Sequence, residues 1–278
     1  TSKKTDQINT WSSGWSGWSA GGRATPTSNF DTAILLNSSP GVGVSTVKVY
    51  IGDFDNGGTA ATGINHSGIR AASGNNTISS SEFYMYGLQS NGVRVDSGAT
   101  VHLDGNTYES HNTGQNGISN AGTIYVGNTT KETFKFNNNN NNNNAIINSG
   151  TANIWGFDVT LNGWHNNGIR NTNTGTLTFT GTSSLSDSII INGWRSNGVS
   201  TANGVTFQNG SSSSFTVNGS ENNGIYKTGG NAVFNIGSGT TFTVSGNNNN
   251  GIFAETAGDI TFDDGASPKF NISGNNNN

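Results

Sequence analysis

Three arginines follow directly on a Gly-Ile or Gly-Val pair: Gly68-Ile69-Arg70, Gly92-Val93-Arg94 and Gly168-Ile169-Arg170. Two tryptophans share a matched phrase, Asn162-Gly163-Trp164-His165 and Asn192-Gly193-Trp194-Arg195. Ring-bearing residues also follow apolar ones in Val101-His102, Ile124-Tyr125 and Ile154-Trp155. Such residues stand out because charge is scarce. Lys and Arg number 12, Asp and Glu 16, the net charge is −4, and charged residues make up 10% of 278, against about 25% in ordinary soluble domains. Guanidinium forks bind carboxylates bidentately, and aromatic faces offer apolar surface to sugar rings. The chemistry on offer is therefore recognition of a carbohydrate, acidic sugars included.

The residues that break bonds are not gathered. Glycoside cleavage needs two carboxyl groups side by side, and no pair or triad of acids converges once the repeats described below are aligned. His66, His102, His111 and His165 fall at different phases, which speaks against a histidine metal site. Asp53-Phe54-Asp55-Asn56-Gly57 has the opening of a calcium loop without its later ligands and reads as a turn. There is no Cys, hence no disulfide or thiolate chemistry. No basic block points to nucleic acid, and no run of 18 apolar residues points to a membrane span. The expectation is a protein without catalysis, metal or cofactor.

The elements that must position these residues come from a repeat. Asn or Ser, then Gly, then Ile or Val recurs with its central residue at 68, 92, 117, 168, 198, 224 and 251, and Asn144-Ala145-Ile146 fills the gap. Between anchors, short runs alternate apolar and polar residues, as in Val205-Thr206-Phe207 and Phe215-Thr216-Val217. Period two, with β-branched and Phe residues dominant, reads as short strands. Three strands per repeat make a coil that stacks on the next: an all-β, parallel β-helix (β-solenoid) of about 8–10 coils. Gly, Asn and Ser supply the turns. The runs Asn137 to Asn144, Asn247 to Asn250 and Asn275 to Asn278 share one phase and are expected to form side-chain ladders. Residues 1–29 form a Trp-rich N-terminal cap, with Ile8, Trp11, Trp15 and Trp18 on one helical face or on an extended segment over the core, or serving as a sugar platform; residues 30–278 form the solenoid. The chain stops at Asn278 where the next Gly-Ile would fall, which suggests a piece of a longer protein.

Phase assigns the candidates to columns. Setting Val101, Ile124, Ile154, Leu177, Val205 and Ile260 inward places His102, Tyr125 and Trp155 on successive outward positions, in line with Ser79, Asn235 and a Thr series, Thr178, Thr206 and Thr261. Arg70 and Arg94 come just after the anchor, also outward, and Lys48 extends the region toward the N-terminus. The expected ligand face therefore carries Lys48, Arg70, Arg94, His102, Tyr125 and Trp155. A second candidate patch is Trp164, His165, Trp194 and Arg195 on a turn edge beside Ile190, where mutual packing of the two indoles is the plainer alternative. The Thr column just described is interrupted by Asn235, and a second, Thr160, Thr216 and Thr243, by Lys135, Ile190 and Asn271, so both reflect strand propensity rather than an ice lattice.

On the Asn-Gly-Ile/Val coils from 68 to 252, the Asn-rich turns and the missing Cys, the sequence resembles the pectate-lyase-like adhesive β-helices of Gram-positive surface proteins. It is most similar to the binding region of lactobacillal serine-rich repeat adhesins. The resemblance implies a right-handed helix in an extracellular protein, anchored to the bacterial cell wall through parts outside this chain. It implies as partners host glycans such as mucin, or plant pectin, without nucleic acid or membrane insertion. The acidic calcium cluster and nearby Arg of pectate lyases are not recognisable here. A polysaccharide lyase or hydrolase is the alternative, and a structural, self-associating solenoid the second.

Overall fold

The structure is a computed structural model that describes residues 32–37, 41–51, 66–136, 141–181, 184–235, 237–255 and 258–278. The expected N-terminal cap and the Asp53–Gly57 turn lie outside the described residues, as do Asn137–Asn140. The described chain is all-β, and its strands assemble into three parallel sheets of nine strands each. Every strand pairs with the strand three places on, so each sheet takes one strand from each coil. This is the β-solenoid that the repeat predicts. Sheet A holds the anchor strands, for example Asn91–Val95 and Asn116–Asn120; sheet B holds Thr100–Asp104 and Thr123–Val126; sheet C holds Thr107–Ser110 and Glu132–Phe136.

Residues in register between coils are chemically alike, and this is what the core consists of. Sheet A points Ile69, Val93, Ile118, Ile146, Ile169, Val199 and Ile225 inward, all fully buried. Rings stack along the axis inside sheets B and C. Phe179, Phe207 and Phe234 lie at centroid spacings of 4.8 and 4.6 Å, and Phe83, Tyr108 and Phe134 at 4.8 and 4.5 Å. Offset stacks of this kind add about 0.5–1.5 kcal/mol per pair beyond area burial. The anchor Gly is required by close approach. A Cβ on Gly224 would lie 2.5 Å from the Gly251 carbonyl oxygen and 2.9 Å from the Phe242 ring.

The corners carry polar groups into the interior. Most of those at the C–A corner are satisfied by the neighbouring coil, whereas at the B–C corner Glu132 Oε2, Asp187 Oδ1 and the Ser211, Ser238 and Thr240 hydroxyls have no hydrogen-bond partner among the described residues. At the C–A corner the buried residues Asn143, Asn166, Ser196, Asn222 and Asn249 form one column. Each accepts, through its side-chain oxygen, the backbone N–H of the residue at the same phase one coil earlier. Asn143 takes the N–H of Gln115 (2.7 Å), Asn222 that of Ser196 (2.8 Å) and Asn249 that of Asn222 (2.7 Å). The Asn222 amide also donates to the carbonyls of Gly193 (2.7 Å) and Asn218 (2.5 Å). Beside it runs a second ladder of side chains, Asn91, Asn116, Asn144, Asn167, Asn197, Asn223, Asn250 and Asn278. There each Nδ2 donates to the preceding Oδ1 at 2.9 to 3.3 Å. The expected Asn ladders are thus present, and of the Asn137–Asn144 run they include Asn143 and Asn144.

Two acids occupy the corresponding inner column at the B–C corner. Glu132 is fully buried and its Oε1 accepts the N–H (3.0 Å) and the amide (3.1 Å) of Asn106. Asp187, also fully buried, accepts the Ser213 hydroxyl at 2.9 Å. Burial pushes the Glu132 carboxyl up to about 8, against the pull of its bonds from Asn106. Burial raises Asp187 in the same direction.

Two outcomes follow. Asn222→Ala strands the Ser196 N–H and the Asn218 carbonyl, at about 1–3 kcal/mol for each group left without a partner, while the Gly193 carbonyl keeps the Ser220 N–H (3.4 Å); chemical denaturation will show a loss of that order, where Gln208→Ala, at an exposed position, shows almost none. Secondly, the folded chain keeps a proton on Glu132 from its ordinary 4.5 up to about 8, while the unfolded chain has released it. Stability therefore falls as pH rises through that window, by up to about 1.4 kcal/mol per pH unit and group, and levels off above it. Thermal midpoints measured across the window will decline in the parent chain and decline less steeply in Glu132→Gln, where Asp187 alone remains.

Candidate functional site

The expected ligand face does not assemble as a single face. Arg70 and Arg94 are in register on the outside of sheet A. His102 and Tyr125 are in register on the outside of sheet B. Lys48 lies on sheet C, in register with Glu82. Equal phase within a repeat places residues in one column, but the columns lie on three different sheets. Arg170 shares the column of Arg70 and Arg94 but is separated from them by Ser119 and Ile147.

Trp155 leaves its expected column altogether. Asn153 occupies the position in register with Tyr125 and Thr178, because Ile154 aligns with Val126 and Phe179 and turns inward. Trp155 then falls on the B–C corner, with its backbone N–H on the Val126 carbonyl (2.9 Å). The same correction puts Thr77 where Ser79 was expected and Val233 where Asn235 was expected. His102 and Tyr125 stack on each other at 4.6 Å and 7°, so each covers one face of the other.

Five cations on these faces, Lys48, Arg70, Arg94, Lys131 and Lys135, are partnered. Asp96 sits between the two arginines, with one oxygen on Arg70 Nε (2.7 Å) and the other on Arg94 Nε (3.1 Å). Lys48 pairs with Glu82 (2.8 Å), which holds that carboxyl below its ordinary range, assisted by the Tyr84 hydroxyl donating at 2.5 Å. Lys135 pairs with Glu109 (3.3 Å) and Lys131 with Asp158 (3.1 Å). Glu109 also faces His111 Nε2 at 3.6 Å, and burial lowers that imidazole despite the carboxylate.

Sheet C thereby carries an aromatic and charged field that column-by-column reading missed. Tyr50 stacks on Tyr84 (4.9 Å, 12°) and Tyr86 on His111 (4.3 Å, 3°), next to the Lys48–Glu82 and Lys135–Glu109 pairs. Glu82 and Glu109 are in adjacent coils but two positions apart along the strand, since Glu82 aligns with Thr107 and Tyr84 with Glu109. A search for acids in one column passes over such a diagonal. The available signal was opposite charge in register one coil apart, Lys48 over Glu82 and Glu109 over Lys135.

The second candidate patch does assemble. Trp164 and Trp194 occupy equivalent positions of the C–A corner in adjacent coils, linked by a parallel bridge. Their rings meet edge to face at 5.1 Å and 76°. His165 approaches the Trp194 ring at 5.9 Å, again edge to face. The Arg195 guanidinium lies over Trp194 at 4.2 Å and bonds Glu221 at 2.6 Å, which holds that carboxyl below its ordinary range. Trp194 is thus packed from several sides, whereas Trp164 remains 56% exposed. Beside the indoles, Asn162, Asn192 and Asn218 form an amide chain at 3.2 and 2.9 Å.

Backbone geometry makes this corner rigid. His165, Arg195 and Glu221 all have φ near +55° (56°, 50° and 55°), as do Asn248 (54°) and Asn276 (52°) at the same place in later coils. Gly114 takes the same place in an earlier coil, with φ 72°. Side chains other than Gly cost about 1–2 kcal/mol in this region. The corner needs the conformation in every coil, so it does not itself mark a site. The choice of His and Arg over Gly or Asn there is what requires a reason, and their contacts with Trp194 supply one.

Among the described residues no three His, Asp or Glu side chains gather as a metal site. A shallow depression of about 430 Å³ crosses three coils along the A–B corner, lined by Thr176, Thr206, Asn203 and Asn231 over glycine backbone. No family model, curated protein or solved structure matches the chain.

The φ values predict a separable effect. His165→Gly relieves left-handed strain and will raise the unfolding midpoint or leave it unchanged, by up to ~1–2 kcal/mol. It will also remove a ring from the Trp194 cluster, readable as a change in near-UV circular dichroism.

Proposed function

We propose that the chain is a non-catalytic carbohydrate-binding solenoid of a bacterial cell-surface adhesin, which holds an extended polysaccharide along its C–A corner and the adjoining face of sheet C. The observation that carries this reading is Trp164: a 56% exposed indole held on a rigid corner by Trp194, which Arg195 and His165 pack in turn. Exposed aromatic faces backed by a fixed frame offer apolar contact at little entropy cost. The polar rim is made of amides and hydroxyls, Asn162, Asn192, Asn218 and Thr160, which suit the hydroxyl groups of a sugar. Coils follow one another at about 4.8 Å, close to the length of one pyranose unit, so a chain lying along the axis meets successive sugars at successive coils.

Charge favours an uncharged polysaccharide. On this side Lys48, Lys131, Lys135 and Arg195 are each neutralised by Glu82, Asp158, Glu109 and Glu221. The acidic ligand expected from the sequence rested on Arg70, Arg94 and Lys48, and all three have a carboxylate partner. Secretion and wall anchoring rest on the resemblance to Gram-positive adhesins.

Affinity electrophoresis through gels containing neutral glucans, mannans or xylans, and through gels containing polygalacturonate, tests this reading. At least one neutral polymer will retard the chain, with little change at high salt. Trp164→Ala will weaken retardation about tenfold or more, the loss of one contact of ~1.4 kcal/mol, at an unchanged unfolding midpoint. Binding to polygalacturonate alone, or retardation indifferent to Trp164→Ala, overturns the reading. New reducing ends or unsaturated products on incubation would show an enzyme instead.

A further inference from the structure

The chain contains twelve Asn-Gly pairs, eleven of them among the described residues. Asn-Gly is the dipeptide most prone to spontaneous deamidation, because Gly leaves its nitrogen unshielded. The Gly nitrogen attacks the Asn side-chain carbonyl carbon, a new C–N bond closes a succinimide, and the C–NH2 bond breaks to release ammonia. Water then opens either imide carbonyl, giving Asp or isoaspartate. The attack requires the Asn amide to swing freely over the following peptide.

Ten of the eleven amides are held. Asn91, Asn116, Asn167, Asn197, Asn223 and Asn250 are rungs of the outer ladder, and all but Asn91 are bonded on both amide atoms. Asn162, Asn192 and Asn218 form the corner chain. Asn203 donates to the Gly175 carbonyl (2.9 Å), and its partner nitrogen, Gly204 N, is itself donated to Thr201 Oγ1 (2.9 Å). Asn209-Gly210 differs on every count. It is the centre of a turn closed by Ser211 N–H on the Gln208 carbonyl (3.0 Å), Gly210 has φ 71°, and residues 208–210 are exposed. Nothing lies within 4 Å of the place a Gly210 Cβ would take. Among the described residues neither the Asn209 amide nor the Gly210 nitrogen has a hydrogen-bond partner.

We propose that, among the described residues, Asn209 is the site that converts spontaneously to aspartate and isoaspartate, and that the stacked amides protect the other described Asn-Gly pairs from the same reaction. A ladder amide reaches its Gly nitrogen only after local opening of the coil, whereas Asn209 needs none. The product adds one negative charge and, as isoaspartate, one methylene to the backbone of an exposed turn, so the solenoid survives it.

The test is to age the folded chain in mildly alkaline buffer, label isoaspartate with an isoaspartyl methyltransferase, and map the sites by tandem mass spectrometry. A second sample is aged in urea. In the folded chain, conversion at Asn209 will exceed that at each ladder Asn by about tenfold or more. In urea the Asn-Gly pairs will convert at similar rates. Asn209→Gln will remove the main product without moving the unfolding midpoint. Ladder sites converting as fast as Asn209 in the folded chain, or a main product at another described Asn-Gly pair that survives Asn209→Gln, overturns the proposal.

Discussion

One hydrogen bond, repeated between successive coils from Gln115 to Asn277, underlies the rest of the molecule: a side-chain oxygen at the C–A corner accepting a backbone N–H from the coil before. A solenoid solves sheet pairing by stacking, but its corners bend backbone away from the ladders and leave polar groups facing the interior. Such groups cost more unpaired than almost any other defect in so thin a core. Asn answers the need best. It is neutral, it accepts and donates at one end, and its reach is short enough to stay within one coil spacing. Asn222 shows the full use of these properties, with its oxygen on Ser196 N–H and its nitrogen on two carbonyls.

The composition follows from this constraint. Charged groups cannot replace Asn in a buried column without desolvation cost, and where they do, as at Glu132 and Asp187, burial shifts them toward their neutral form. The inner faces use few apolar residues because each coil exposes only a few positions to the core, and like stacks on like. Low charge and abundant Gly, Asn and Ser, which in a globular domain would argue for disorder, here describe a folded chain. Among the other described charged residues Lys227 is also fully buried, and most of the rest lie nearer the surface, many of them paired across coils.

The solenoid was legible in the sequence because its signals are local and repeated. The anchor Asn-Gly-Ile/Val marks one corner, and alternation within three to five residues marks each strand. The Trp164/Trp194 cluster was legible for the same reason, since both residues lie in five-residue corners of equal length, 162–166 and 192–196. What alternation could not carry across was a corner. Ile154 and Phe157 both point inward with only Trp155 and Gly156 between them, so the column containing Tyr125 passes to Asn153 and not to Trp155. Nor does phase say which residues share a face, which is why Arg94, His102 and Lys48 parted onto three sheets. The Asp96 fork on Arg70 and Arg94 was hidden as well: the acid is two residues from one arginine and a full coil from the other.

The central claim is that buried corner amides, and not the apolar stacks alone, hold successive coils together. Native-state hydrogen exchange measures it most directly, at the N–H groups of Gln115, Asn143, Ser196 and Asn222, which lie in corners outside the sheet ladders. These four will exchange as slowly as sheet amides flanking Ile169 and Phe207, in the same cooperative opening. Exchange at the rate of exposed turn amides such as that of Gly210, with the sheets still protected, would contradict it.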